Sequence, residues 1–382
     1  KSTAFSRAEA RKFAADHIVS EHVVNAGRCS RCDWEPNPNL GVSSSSVIPD
    51  LRELGTLLAL SARVDTLDGN YERALRTVKH GFALARNVGQ APAAIGTLQG
   101  VSIATQFLSC LEDLAQSPGS PNLYWPLTAL PQPLIPWRSA AQGDRSSLLK
   151  DFPELRGLEA EPLPEKEVSA RLVRVMTRLE YFSGATKEPA AKDIETLLAL
   201  ATPKFHKAAK ERLAACGFKK EQIEALPPVQ AVALSALLKF QEIEDEYYKL
   251  MHLPFWEAQP RFKQLDADVK KYRSSEEAFV PGLLLVQHPF YKVYFATTRV
   301  ERRIAALRCI EAIRLYASEH DGKLPRNLSD IKSTPAPLDP YTGKAFDYSL
   351  HGATAMLYGP PPPGETAVKD SNVIYYRLTM KR

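Results

Sequence analysis

The sequence predicts a mainly α protein, an irregular multi-helical domain followed by a small α+β module, and three observations carry that expectation. Apolar residues recur at helical spacing over most of residues 3–317. Strand-like alternation is confined to the tail, at Phe346, Tyr348 and Leu350 and in the short runs 355–358 and 372–378. Proline and glycine punctuate the helical pattern at 117–137, 226–228, 280–282 and 322–325.

Taken in order, a first helix is expected over about 3–25, then a loop rich in Cys, Pro, Asn and Ser over 27–46. A helix pair follows at about 48–66 and 70–88, and a third helix at 91–116. In the connector 117–137, Pro118, Pro121, Pro126, Pro131, Pro133 and Pro136 interleave with Tyr124, Trp125, Leu127, Leu130 and Trp137. Proline at that density prevents a long helix, because each ring removes an amide and clashes with the preceding turn. The helical pattern resumes at 165 and predicts helices at 165–182, 190–201, 203–215 and 219–225. Pro227 and Pro228 suit the first turn of a long helix to about 251, where a missing amide costs least. A helix over 255–278 is next, and another from about 289 runs directly into an amphipathic segment over 299–319. The expected division is therefore a multi-helical domain over 1–290 and a helix plus small antiparallel sheet over 291–382.

The last quarter has a recognisable order. The long helix meets Gly322, suited to a left-handed C-cap, and Pro325, which stops the helix restarting. Leu328 and Ile331 read as one further apolar turn, and Leu338-Asp339-Pro340-Tyr341-Thr342-Gly343-Lys344 as a tight turn. This order resembles the soluble end of a type II secretion pseudopilin over about ninety residues, and the resemblance implies packing and assembly rather than catalysis. The helix departs from that family by carrying Arg299, Glu301, Arg302, Arg303, Arg308, Glu311 and Arg314 in place of a lipid anchor. The family's calcium loop is replaced by Gly359-Pro360-Pro361-Pro362-Pro363-Gly364. Earlier in the chain, Ala62, Gly69, Tyr71 and Ala74 resemble one tetratricopeptide unit, with small residues where two helices approach closely. The combination resembles a class of mostly helical planctomycete cell-envelope proteins with this kind of tail, a class with no established activity to transfer.

Composition narrows the function classes. The 49 Lys and Arg exceed the 44 Asp and Glu only slightly, and the excess lies in residues 289–382 (14 against 9). So small an excess, without a clustered basic stripe, argues against nucleic acid as a partner. No run reaches the roughly twenty apolar residues of a membrane span. The chain begins at Lys1 without an initiator Met, which points indirectly to a mature product in the periplasm, envelope or extracellular space.

The candidate chemistry is sparse. Cys29 and Cys32 form a CxxC pair that reads as a local disulfide or inert thiols, or with further ligands as a zinc knuckle. His17 and His22 are five residues apart, roughly 140° around a helix, and so do not converge on one ion. Cys110, Cys216 and Cys309 fall in apolar helical patterns where a buried free thiol is usual. Glu242, Glu244, Asp245 and Glu246 near His252 read as a solvated helix face. Neither a Gly-x-Ser-x-Gly elbow nor a phosphate loop is present. The stripe Arg299, Arg302 and Arg303 reads as the polar face of the linking helix, with an anionic partner as the alternative. Tyr341 and Tyr348 offer stacking surfaces or the core of a small sheet.

The expectation is a non-enzymatic, exported structural or interaction protein without a cofactor, engaging a protein partner or a second copy of itself. A peptide- or glycan-binding module would instead use Tyr124, Trp125 and Trp137 as a lip, and requires those aromatics to be exposed and convergent. A zinc or redox centre at Cys29 and Cys32 requires ligands from distant helices.

Overall fold

The computed structural model describes residues 44–91, 93–182, 191–273, 290–368 and 372–379, together with Glu9, Lys12, Asn25, Cys29 and Cys32. The helix expected at 3–25, most of the loop at 27–46, His17 and His22, and the break at 280–282 lie outside the described residues.

The fold is mainly α with a small antiparallel sheet at its C-terminal end. The helices are α1 (Ser44–Leu67), α2 (Tyr71–Gly89), α3 (Ala94–Ala115), α4 (Tyr124–Thr128), α5 (Arg138–Asp151), α6 (Glu165–Phe182), α7 (Ala191–Ala215), α8 (Lys220–Ala225), α9 (Pro228–Leu250), α10 (Phe255–Arg273) and α11 (Phe290–Glu319). Strands β1 (Asp347–His351), β2 (Thr354–Gly359) and β3 (Ile374–Thr379) follow. The chain divides into two compact units; one boundary falls at 291/292, near the expected 290, but the N-terminal helices group with the tail and not with the rest of the expected 1–290 domain. One unit holds Lys1–Gln142, Pro254–Gln259 and Lys292–Arg382; the other holds Gly143–Leu253 and Pro260–Tyr291.

In the first unit, α1, α2 and α3 pack against one another at close range. Ala62 and Ala74 are fully buried, and Gly69 takes φ +75° at the turn between α1 and α2. Gly81 on α2 lies under the Phe107 ring, where a Cβ would come within 2.1 Å of the ring. Only glycine permits that approach. Contrary to the expectation that no segment reaches a membrane span, helix α3 is long and apolar enough to match one, and its Ile103, Phe107 and Leu108 are buried in this core. The same core takes in Ile304, Leu307 and Ile310 from α11, Phe346 just before β1, and Leu357 and Ile374 from the sheet. The tail therefore shares one core with the N-terminal helices. That is the physical reason residues 1–290 do not form one domain: the N-terminal helices close their core over α11 and the sheet.

Helix α11 ends as its glycine predicts. Asp321 and Gly322 take φ +52° and +79°, and the Gly322 amide donates to the Ala317 carbonyl at 2.8 Å. The sheet order is β1-β2-β3, with Ser349 opposite Met356 and Met356 opposite Arg377. Ala355, Leu357 and Gly359 of β2 face the interior, as strand alternation requires.

The anticipated polar face of α11 is, in large part, buried. Arg302 is 1% exposed and forks onto the fully buried Asp339, Nε to Oδ1 at 2.8 Å and Nη2 to Oδ2 at 2.6 Å. It also donates to the carbonyls of Asn372 (2.7 Å) and Pro360 (2.5 Å). Tyr341 lies against the guanidinium at 4.3 Å and stacks on Phe255 at 4.8 Å. Tyr341 is therefore a core residue, not a stacking surface for a ligand. Tyr348 is half-buried, and its hydroxyl donates to the Pro325 carbonyl at 2.8 Å.

In the second unit, α6, α7 and α9 form the helical layer. The two helices expected at 190–201 and 203–215 are one, because Pro203 is accommodated within an unbroken buried stripe of Ile194, Leu198, Thr202, Ala209 and Leu213. The buried Gln230 amide donates to the carbonyls of Leu158 and Glu161 and accepts from the Leu163 amide, which pins the loop before α6. Helix α5 was not expected, since its polar sequence carries little apolar periodicity. Of the acidic run on α9, Glu242 and Glu246 are exposed and paired with Lys239 and Lys249, whereas Glu244 is buried. Cys216 is exposed, in the turn after α7 where the apolar stripe has ended; Cys110 and Cys309 are buried.

Breaking a buried ion pair from one side leaves an uncompensated charge and costs about 3–5 kcal/mol. Arg302→Met and Asp339→Asn should each lower stability by that order in urea unfolding. The double change Arg302→Met/Asp339→Leu should cost less than either alone.

Candidate partner-binding groove

The connector expected to form an aromatic lip forms the wall of a groove instead, and does so with aliphatic residues. Leu123, Leu127 and Leu134 are buried, with Leu130 half-buried, and they face Leu75, Val78 and Phe82 of α2. Between α2 and the connector is a cavity of about 710 Å³, within the usual range of ligand pockets. Cys29 also lines it. Its polar contributions include Lys79 and Arg86, seven residues apart on α2 and so on the same side of the helix. One terminal nitrogen of Arg86, Nη1, is buried with no hydrogen-bond partner among the described residues.

The connector is held to α11 by two carboxylates, Glu311 buried and Glu301 half-buried. Glu301 accepts the Leu134 amide at 2.8 Å, and Glu311 accepts the Leu123 amide at 3.0 Å. The Asn122 side chain donates to the Glu311 carbonyl at 2.8 Å, and Arg314 joins Glu311 to Ser120. Tyr124 is buried and donates through its hydroxyl to the Pro335 carbonyl at 2.8 Å, with Arg308 5.5 Å from its ring. Trp137 is buried against Tyr294 at 6.3 Å. Trp125 is 62% exposed, edge-on to Tyr124. Tyr124, Trp125 and Trp137 thus do not converge on an open surface. The signal for the groove lay in the leucines between the prolines, which recur at spacings of four, three and four.

Cys29 is exposed and Cys32 partly so, and the two are not bridged to each other; the Cys29 Sγ lies 3.5 Å from the Asn25 carbonyl. Among the described residues no three His, Cys, Asp or Glu side chains cluster as metal ligands. Burial pushes the Cys110 thiol up to about 11 and the Cys309 thiol up to about 12, which keeps both protonated and unreactive. Comparison of the chain with family models, curated proteins and solved structures finds no match.

Burial raises Glu301 from the ordinary 4.5 to about 7, with the Leu134 hydrogen bond opposing. Below pH 4.5 the carboxyl is protonated folded or unfolded and costs nothing. Between 4.5 and about 7 the folded state binds more protons, so stability falls as pH rises; above that the full penalty, of order 3 kcal/mol, is present. Glu301→Gln keeps an acceptor for the Leu134 amide without the charge. It should match the parent near pH 4.5 and exceed it by about 2 kcal/mol at pH 8, as read from paired urea titrations.

Proposed function

We propose that this protein is a non-enzymatic, exported interaction protein, a subunit of an envelope or surface assembly, whose α2–connector groove receives the apolar face of an amphipathic helix. The observation that carries this reading is the groove itself: an apolar trough beside a helix, with Lys79 and Arg86 among its lining residues. Helix-in-groove recognition needs an apolar floor for residues spaced three and four apart, and basic groups beside it favour acidic residues on the incoming helix. The pseudopilin-like order of the tail supports assembly as the setting. A protein partner or a second copy of the chain supplies the helix.

Ala83 and Leu130 line the groove and are half-buried, so a charge at either blocks the groove while disturbing the core least. Light scattering on the full chain over a range of concentrations should show a discrete oligomer or a growing polymer. Ala83→Glu or Leu130→Glu should weaken that assembly about tenfold or more, while Trp125→Ala, outside the groove, leaves it unchanged. A monomer at every concentration that also fails to bind an acidic amphipathic helical peptide would sink the reading.

A further inference from the structure

A second open feature lies at the start of β3 and is independent of the groove. A cavity of about 350 Å³ is bounded by Thr105 and Glu112 of α3, by Arg299, Arg302 and Arg303 of α11, and by residues 373–376. Two of its three arginines are neutralised. Arg302 forks onto Asp339, and Arg303 pairs with Glu112 at 2.7 Å while also donating to the Thr105 carbonyl and Ser109. The Tyr376 hydroxyl donates to the same Glu112 oxygen at 2.5 Å, so the one carboxylate lining the cavity is already engaged. Arg299 is half-buried and has no hydrogen bond or ion pair among the described residues. The uncompensated charge of the cavity is positive and sits on Arg299.

The cavity adjoins a free strand edge. β3 is the last strand of the sheet, and among the described residues no backbone hydrogen bond joins its outer edge to another element. Tyr375 on its outward face is 56% exposed. An unpaired edge is a template for an added strand, and an arginine fork at one end of it matches a carboxylate better than any neutral group. We infer that β3 accepts an acidic, extended peptide segment by strand addition, with an Asp or Glu carboxylate of that segment seated on Arg299. Backbone hydrogen bonds supply the binding and the Arg299 contact sets its preference for acid.

The test uses the full chain and two end-capped, fluorescein-labelled peptides of alternating Thr and Val, one with Glu near an end and one with Gln at that position. Fluorescence anisotropy at low salt should show the Glu peptide binding about fivefold tighter or more. Arg299→Gln should erase that preference, and the bound peptide should protect amides of Ile374–Thr379 from hydrogen exchange. Because Arg299 has no partner among the described residues, the variant should keep the parent's circular dichroism and urea midpoint. Equal binding of the two peptides, a preference that survives Arg299→Gln, or no binding of either overturns the inference. Displacement by inorganic phosphate without protection of β3 overturns it too, by assigning the cavity to a free anion.

Discussion

The tail of this molecule is organised around one buried fork, Arg302 on Asp339. Taking both charges out of water costs several kcal/mol per ion, and only near-complete hydrogen bonding offsets that. Arg302 has that compensation: two bonds to Asp339, one each to the carbonyls of Asn372 and Pro360, and the Tyr341 ring against its face. Asp339 in turn accepts the Tyr341 amide at 2.9 Å. The turn at 338–344, the polyproline stretch and the approach to β3 are therefore tied to a single point on α11. Gly359 passes so close that a Cβ would lie 2.6 Å from the Arg302 Nη2. A planar five-donor group is satisfied by very few arrangements of its acceptors, so the fork specifies one packing of three otherwise irregular segments.

Glu301, Arg303 and Glu311 repeat the device, Glu311 as deeply buried as Arg302 and the other two half-buried. Glu301 and Glu311, ten residues apart, accept amides at the two ends of the connector. Arg303 reaches Glu112 on α3, which Tyr376 of β3 also contacts. Helix α11 thus carries a charged hydrogen bond to the connector, to α3 and to the 338–344 turn, and each link is directional where the apolar contacts are not. Apolar contacts alone would let the connector slide along α11 at little cost, whereas a buried carboxylate that accepts a particular amide fixes its register.

Most of the helices, the sheet and the Gly322 cap are legible in the sequence because each rests on local periodicity or local backbone conformation, whereas the polar α5 is not. Nor is Arg302. A charged residue three places after Arg299 and beside Arg303 reads as a solvated face, and nothing local to α11 announces an acid thirty-seven residues away. Asp339 was noticed only as part of a turn, although its carboxylate does more than its backbone. Pro203 looked like a helix break because proline removes one amide, yet the apolar stripe on either side outweighs that loss. In the connector, attention to Tyr124 and Trp137 followed the largest side chains, and size is what drives them into the core. The leucines that wall the groove gave a quieter signal, in a stretch where proline disguises periodicity.

The groove's preformed state follows from the same links. For α2 and the connector to close over the apolar floor, the connector backbone would have to move, and at Leu123 and Leu134 it is bonded to carboxylates of α11. Moving either amide away would take a hydrogen bond from a largely desolvated carboxyl group and leave the amide without its acceptor, which costs more than covering a few methylenes returns. The trough is held open by polar groups on its far side. The partner helix proposed for the groove would then bind without first rearranging the wall, and more of its apolar burial would survive as affinity, because reorganisation is among the main costs of association.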